Sequence, residues 1–524
     1  MANTKLYFYG TDFTPINPSE GNYNFGFNMP DYPKRKTFRE LSADKRKQFL
    51  LLCEFLKRAQ SEVDNIVLDT TLQKEERRLY DYCNQKICFG GLVGVISLKD
   101  FQLPDSSEIV DISLQINTRF DAGIQSDQSI EYDPNINFKS ISPFFLMTLL
   151  FHDYRPTNNM VSLDEEAFTD ILLLYSFIEK YREAYVKGYF KTYHRFEKND
   201  DRVKGSIDIS RHLRLNMGMN NGRVAYSYKE KSEYNYINHL IIAAYEHLKT
   251  KYFDLSKDAF SRNIRLRDSL EALKYMIGSR TYKDTVLIAK NINSLTHPYY
   301  TEYEELRKIC IKILRNGKQS LFDGTNNQKV NGILMYVPRL WEKYIENRLR
   351  RTGVMSQEQI HVFNVNGGEK YYQLTIPDFV FYSNDSPFMI LDAKFKRGWL
   401  SAAKTGYLGD LLPDYDKCLR DMVSINGNSA GVIFPTNDKV DGFDKNGYMI
   451  AGRTYNYEHS ISKHNPTAKF YTFPVYIPKI PSPQEEHIGN VFAEWKDKFD
   501  NANTDLFKSI QNIVYHRSSI NIKQ

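Results

Sequence analysis

The sequence has no run approaching ~18 uninterrupted apolar residues, so no membrane-spanning helix is expected. It contains no Gly-x₄-Gly-Lys-Ser/Thr, the loop whose backbone cradles nucleotide phosphates, so the chain is not expected to hydrolyse ATP or GTP itself. No glycine-rich cofactor loop follows a strand-like run and no Asn/Asp-Pro-Pro-Tyr occurs, which argues against base methylation. Cysteine is scarce: Cys53, Cys83, Cys88, Cys310 and Cys418 are scattered, odd in number and without the spaced partners of a zinc site. Reduced thiols in a cytoplasmic protein are the expectation. The first ten residues show no basic stretch followed by an apolar core, so no signal peptide is expected. Excess charge is small too. A net +6 over 524 residues permits nucleic-acid binding without arguing for it, because such binding depends on local patches.

Apolar residues at 41% and aromatic residues at 14% are ample for folded cores. The length exceeds what one core serves, so two or three domains are expected. The division reads as 1–158, 159–324 and 325–524. In the first segment, residues 1–35 read as irregular or extended. Residues 44–62 carry Phe49, Leu52, Cys53 and Leu56 at helical spacing. Two strand-like runs follow, Leu92 to Leu98 and Ile109 to Ile116, and an apolar helix closes the segment near Pro143 to Phe151. The loop Asp153 to Asn159 is a natural boundary. Ser162-Leu-Asp-Glu165 resembles a capping box that opens a long helix. The pattern from 235 to 316 is mostly helical, 318–330 reads as a polar loop, 436–447 as a surface loop, and ~483–515 as helical. Lys204, Arg211, His212 and Arg214 read either as a phosphate-contacting basic strip or as a solvated face.

The chemistry is concentrated in Leu374-Thr-Ile-Pro-Asp378-Phe-Val-Phe-Tyr and Met389-Ile-Leu-Asp392-Ala-Lys394-Phe-Lys396. Side chains two apart share a strand face, so Asp392 and Lys394 project together, with Lys396 beyond them. The intervening Ser383-Asn-Asp-Ser-Pro387 is rich in turn formers, which predicts an antiparallel pair that brings Asp378 towards Asp392. Two carboxylates and the backbone carbonyl of Ala393 would supply hard oxygen ligands for Mg²⁺, for which Mn²⁺ could substitute. Lys394 would orient or deprotonate the attacking water and hold the scissile phosphate. The alternative, an Asp392–Lys394 surface ion pair on an edge strand, conflicts with the apolar runs that flank the charges. Glu342 reads either as a further metal ligand or as a solvated acid flanking the stripe of Leu340, Trp341, Tyr344, Ile345 and Leu349.

These residues resemble the signature of the PD-(D/E)xK nuclease superfamily. Further matches are Arg202-Val-Lys-Gly205-Ser-Ile-Asp208, Val224-Ala-Tyr-Ser-Tyr-Lys-Glu230, Asn235-Tyr-Ile-Asn238, Pro338-Arg-Leu-Trp-Glu342, Asp414-Tyr-Asp416-Lys417-Cys-Leu-Arg-Asp421 and Gly431-Val-Ile-Phe-Pro435. Together they are similar to the McrC-type nuclease subunits of McrBC and LlaJI-type restriction systems, over roughly residues 165–480. The resemblance implies an α/β fold: a C-terminal restriction-endonuclease-like domain with a mixed sheet flanked by helices, preceded by α+β N-terminal and middle domains. It also implies DNA as substrate and a separate McrB-like AAA+ GTPase ring that this chain would stimulate. Residues 1–158 have no counterpart in the pattern and would serve partner docking or DNA recognition. Where many members of the superfamily carry Gln or Tyr in the helix after the catalytic strand, this chain has Lys417 and Asp421. Lys417, with Lys396, is therefore a candidate contact to DNA phosphate. Two other readings stay open: a non-cleaving activator of the AAA+ partner, and a stand-alone repair or transposition nuclease.

Overall fold

The two strand-like runs of the first segment are strands Leu92–Gln102 and Ile109–Asn117, which pair antiparallel in the computed structural model. Ile109–Asn117 also pairs in parallel with Thr4–Thr11, and Leu92–Gln102 pairs antiparallel with Asn331–Tyr336. Gly94 and Gly332 make that last pairing possible. A Cβ at Gly94 would lie 2.1 Å from the Ile333 carbonyl oxygen, and one at Gly332 would lie 2.2 Å from that of Val95. Both sit at positive φ, which glycine adopts without steric cost. Helix Ala43–Ser61 buries Leu51, Leu52, Phe55 and Leu56 in one core with Ile96, Leu98, Ile112 and Leu114 of this sheet.

The structure describes residues 4–12, 15–16, 43–69, 72–83, 86–102, 109–120, 142–150, 165–217, 222–251, 253–278, 282–316, 330–350, 355–356, 360–364, 371–383, 386–444, 447–450, 453–455, 457–462, 465–479 and 488–520. The loop at 153–159, the cap residues 162–164, residues 318–329 and the turn residues Asn384 and Asp385 lie outside them. Among the described residues no helix is long and apolar enough to cross a membrane. By contacts the chain forms two units, residues 1–168 with 328–524, and residues 169–327. The sequence division at 158 and 324 set the outer segments apart. They cluster because Asn331–Tyr336, which follows the second boundary, completes the sheet of the first segment.

The same unit holds a six-stranded sheet in the order Met355–Ser356, Phe379–Ser383, Ser386–Ala393, Ser429–Thr436, Asn465–Tyr476 and Glu458–Ser462. The central Ser429–Thr436 is buried along its whole length and parallel to both neighbours, as a strand covered on both faces should be. On one face lie Trp399, Cys418 and Met422 with Val432, Phe434 and Phe470. Helices Val337–Leu349 and Ile488–Ile520 bury Trp341, Tyr344, Trp495 and Phe499. Residues 436–447 differ from the expected surface loop. Val440–Asp444 and Gly447–Ile450 form an antiparallel hairpin, extended by Arg453–Tyr455.

In the second unit, Val224–Ser232 lies between Thr192–Asp200 and Ser206–Ile207, all antiparallel. Asp208 caps helix Ile209–Asn216 by accepting the Arg211 N–H at 3.0 Å. Five helices follow, Tyr236–Lys251, Phe253–Arg262, Ile264–Ile277, Asp284–Lys290 and Glu302–Asn316. The first of them buries Leu240, Ile241, Ala244, Tyr245 and Leu248. Asn235 accepts the Asn238 N–H, and the Asn238 amide donates to the carbonyls of Phe190 and Glu233. This pair fixes how the strand enters the helix.

Candidate functional site

Asp378 does not end the strand that begins near Leu374. Tyr371–Thr375 pairs with Ile360–Asn364 in a separate two-stranded sheet, and Asp378 opens the next strand, Phe379–Ser383. Pro377 accounts for the break, because it has no N–H to give to a ladder. The expected antiparallel hairpin is present: Phe379 pairs with Leu391 and Val380 with Ile390. Continuing that register by one residue sets Asp378 opposite Asp392. The Asp378 carboxylate accepts the Ala393 N–H at 2.7 Å. The N–H and C=O of a strand residue point to the same side, so the Ala393 carbonyl leaves the strand on that same edge.

Burial and opposing charge separate the two acids. Burial, then the neighbouring Asp392 and Glu342 carboxylates, push Asp378 well above the usual carboxylate range. Asp392 is 1% exposed, and burial alone would raise it too. Lys394 and Lys417 outweigh that effect and hold it down to about 2. Lys394 forms an ion pair with Asp392 Oδ2, and Lys417 Nζ donates to Oδ1 at 3.0 Å. Burial lowers both lysines, but facing carboxylates raise them further, so both are ammonium ions at neutral pH. The Lys394 N–H donates to Ile433 O on the adjacent parallel strand, which fixes where its side chain leaves the sheet.

Beneath the acids the packing is aromatic. Trp341 donates its indole N–H to Ile433 O at 3.3 Å, and Phe395 meets Phe120 edge-to-face with ring centroids 4.9 Å apart. Nearby, buried Asp12 accepts hydrogen bonds from the backbone and guanidinium of Arg119.

Glu342 faces the same neighbourhood. Burial raises it, and among the charges around it Asp392 adds most to that rise. Among the described residues no group of three His, Cys, Asp or Glu side chains gathers closely enough to hold a metal ion. Lys396 is exposed and bound to Asp414 at 2.5 Å. Lys417 lies against Asp392 on the half-buried side of the cluster. The donor set of two facing carboxylates and a carbonyl is hard oxygen, and it fits a divalent cation that keeps several waters. A cation would also supply the charge that Asp378 needs to ionise beside Asp392.

Asp414, Lys417 and Asp421, quoted in the sequence only as part of a matching segment, act together around the acids. They lie at i, i+3 and i+7 on helix Leu412–Ser424, and all three turn towards the strand end. That spacing is the signal that would have found them. In the second unit the residues read either as a basic strip or as a solvated face do not form a continuous strip. Lys204 pairs with Glu230, and His212 turns inward to Asn216 and the Ala225 N–H.

The family model described as McrBC 5-methylcytosine restriction system component matches residues 90–408, so the match begins within the first segment, for which the motifs had given no counterpart. No curated protein matches the chain. Two solved structures from Thermococcus gammatolerans are similar at 12% identity. One is a half-complex from a tetradecameric assembly of McrB AAA+ hexamers with bound McrC, with a TM-score of 0.41, covering 94% of this chain and 100% of that one. The other is a McrBC complex determined by cryo-EM, with a TM-score of 0.28, covering 67% of this chain and 88% of that one. Scores this low carry no weight for the fold, whereas the family match spans more than half of the sequence and includes the Asp378, Asp392 and Lys394 strands. The chain belongs to the family of McrBC 5-methylcytosine restriction system components.

Proposed function

We propose that this chain is the DNA-cleaving subunit of its restriction system, a Mg²⁺-dependent endonuclease of the PD-(D/E)xK type. One observation carries the reading: two carboxylates, Asp378 and Asp392, face each other at a buried strand end with Lys394 on the same edge. Setting a second acid beside a buried, lysine-paired Asp392 is costly to the fold, as the raised Asp378 reflects, unless the pair is used. Asp378, Asp392 and the Ala393 carbonyl would hold the cation. When bound, it would lower the pKa of a water and offset charge on the phosphate. Lys394, held as a cation by Asp392 and Asp414, is suited to steady the scissile phosphate electrostatically and to orient the attacking water. Exposed Lys396 extends the positive edge towards a phosphate backbone.

The chain has no phosphate-cradling loop, so the energy for movement along DNA falls to a partner. An AAA+ ring like the McrB hexamers of the similar assemblies is that partner in this reading, and the chain stimulates its GTP hydrolysis. The test is DNA cleavage by the full chain mixed with its AAA+ partner, nucleotide and Mg²⁺. Asp392→Asn and Asp378→Asn should each eliminate cutting while stimulation of GTP hydrolysis persists. Cutting by either variant at the wild-type rate would overturn the assignment.

A further inference from the structure

Both oxygens of Asp392 are occupied by lysines, Oδ2 by Lys394 and Oδ1 by Lys417. A divalent cation reaching Asp392 would meet two ammonium groups already on its oxygens; moving one aside relieves the like-charge repulsion, and a displaced ammonium needs somewhere to go. Each lysine has a second carboxylate within reach on the same helix. Lys394 Nζ is 3.4 Å from Asp414 Oδ1, and Lys417 Nζ is 3.5 Å from Asp421 Oδ2.

Asp421 is the more telling of the two. It is fully buried, and its Oδ1 accepts the Thr375 hydroxyl of the separate two-stranded sheet at 2.8 Å and the Arg420 guanidinium at 3.4 Å. Its Oδ2 is buried without a hydrogen-bond partner, and Lys417 is the cation facing it. A buried carboxylate oxygen left in that state is costly to the fold. On that ground we infer that Asp421 is a positioning residue that receives Lys417 when a metal ion takes Asp392, with Asp414 receiving Lys394 in the same way. Lys417 would then act as a resident counter-ion, shared between Asp392 and Asp421 before loading and drawn onto Asp421, beside Arg420, after it. This rests on the metal-dependent reading proposed above.

The test is calorimetric titration of the full-length protein with Mn²⁺ and Mg²⁺, which reads binding without turnover. Lys417→Met removes the competitor and should tighten binding by about tenfold, or ~1.4 kcal/mol. Asp421→Asn keeps an acceptor for Thr375 but removes the charge. It should weaken binding by about 3-fold or more when Lys417 is present, and should have no effect in the Lys417→Met background. Unchanged or weaker binding by Lys417→Met would overturn the inference, and that variant removes no buried acid from the fold. Equal weakening by Asp421→Asn in both backgrounds would overturn it too, by making Asp421 a structural residue. Absence of binding by the wild-type protein would remove the metal reading, and this inference with it. Binding by the wild type that ignores Lys417→Met would remove this inference alone.

Discussion

Lys417 stands 3.0 Å from Asp392, and Lys204 stands 2.9 Å from Glu230. The distances are almost equal but the surroundings are opposite. Asp392 is 1% exposed at the end of a sheet packed with Trp341 and Phe395, whereas Lys204 and Glu230 are 59% and 52% exposed on the three-stranded sheet of the second unit. Water screens the second pair, and holding two long side chains together offsets most of its attraction. The first pair lacks that screening, so each member depends on the others being present. Apolar side chains show the same contrast. Ile207, Ile209 and Leu213 of the second unit face solvent, while the residues around Asp392 are buried. Contact distance alone therefore does not rank charge pairs; burial does.

The comparison breaks first if the packing beneath the acids is soft. Trp341→Ala removes a buried ring and the donor to Ile433 O. It should cost about 3–5 kcal/mol in denaturant unfolding, and a loss below ~1 kcal/mol would mean that the site stands on a yielding base. Lys394→Ala comes next. Cleavage with the AAA+ partner should fall by ~10² or more, while Mn²⁺ still binds in calorimetry because both carboxylates remain. Loss of metal binding would make Lys394 structural.

A smaller effect comes from Asp12, which burial raises from 3.8 to about 6 despite the opposing charge of Arg119. Its folded pKa lies above the unfolded one, so the folded state holds the extra proton between these values. Stability should therefore fall as pH rises from about 4 to 6, by up to about 3 kcal/mol, and stay level above that range. Asp12→Asn should flatten this slope when thermal midpoints are compared across the window. Lys204→Ala marks the bottom of the scale, with no measurable change in thermal midpoint, because the ammonium it removes lies in water. A clear drop would show that the exposed sheet uses its charges structurally.

The hairpin that bears Asp378 and Asp392 was legible from turn formers between two apolar runs, and the helices from their periodicity. The break at Pro377 was legible in principle, since a proline inside a strand-like run argues for interruption. Asp414 and Asp421 were harder to read. Acids at i and i+7 on a helix usually face solvent, and only the fold shows that this face turns onto a strand end. The hairpin at 440–450 was hidden by its composition, because glycine and aspartate at high density read as loop. Pairing between Leu92–Gln102 and Asn331–Tyr336 had no local signal at all, since a partner more than 200 residues away leaves no periodicity in either segment.

That distant pairing has a consequence for how the chain is made. Strand Leu92–Gln102 leaves the ribosome long before Asn331–Tyr336, and residues 169–327 emerge between them. The inserted unit has its own helices and sheet and can fold while the first sheet still waits with an open edge. An unpaired edge is a template for wrong partners, and the wait lasts roughly ten seconds or more at ordinary elongation rates. A chain cut between residues 317 and 329 would leave that edge open in the N-terminal piece alone. The N-terminal piece should then aggregate on its own and recover when the C-terminal piece is co-expressed with it.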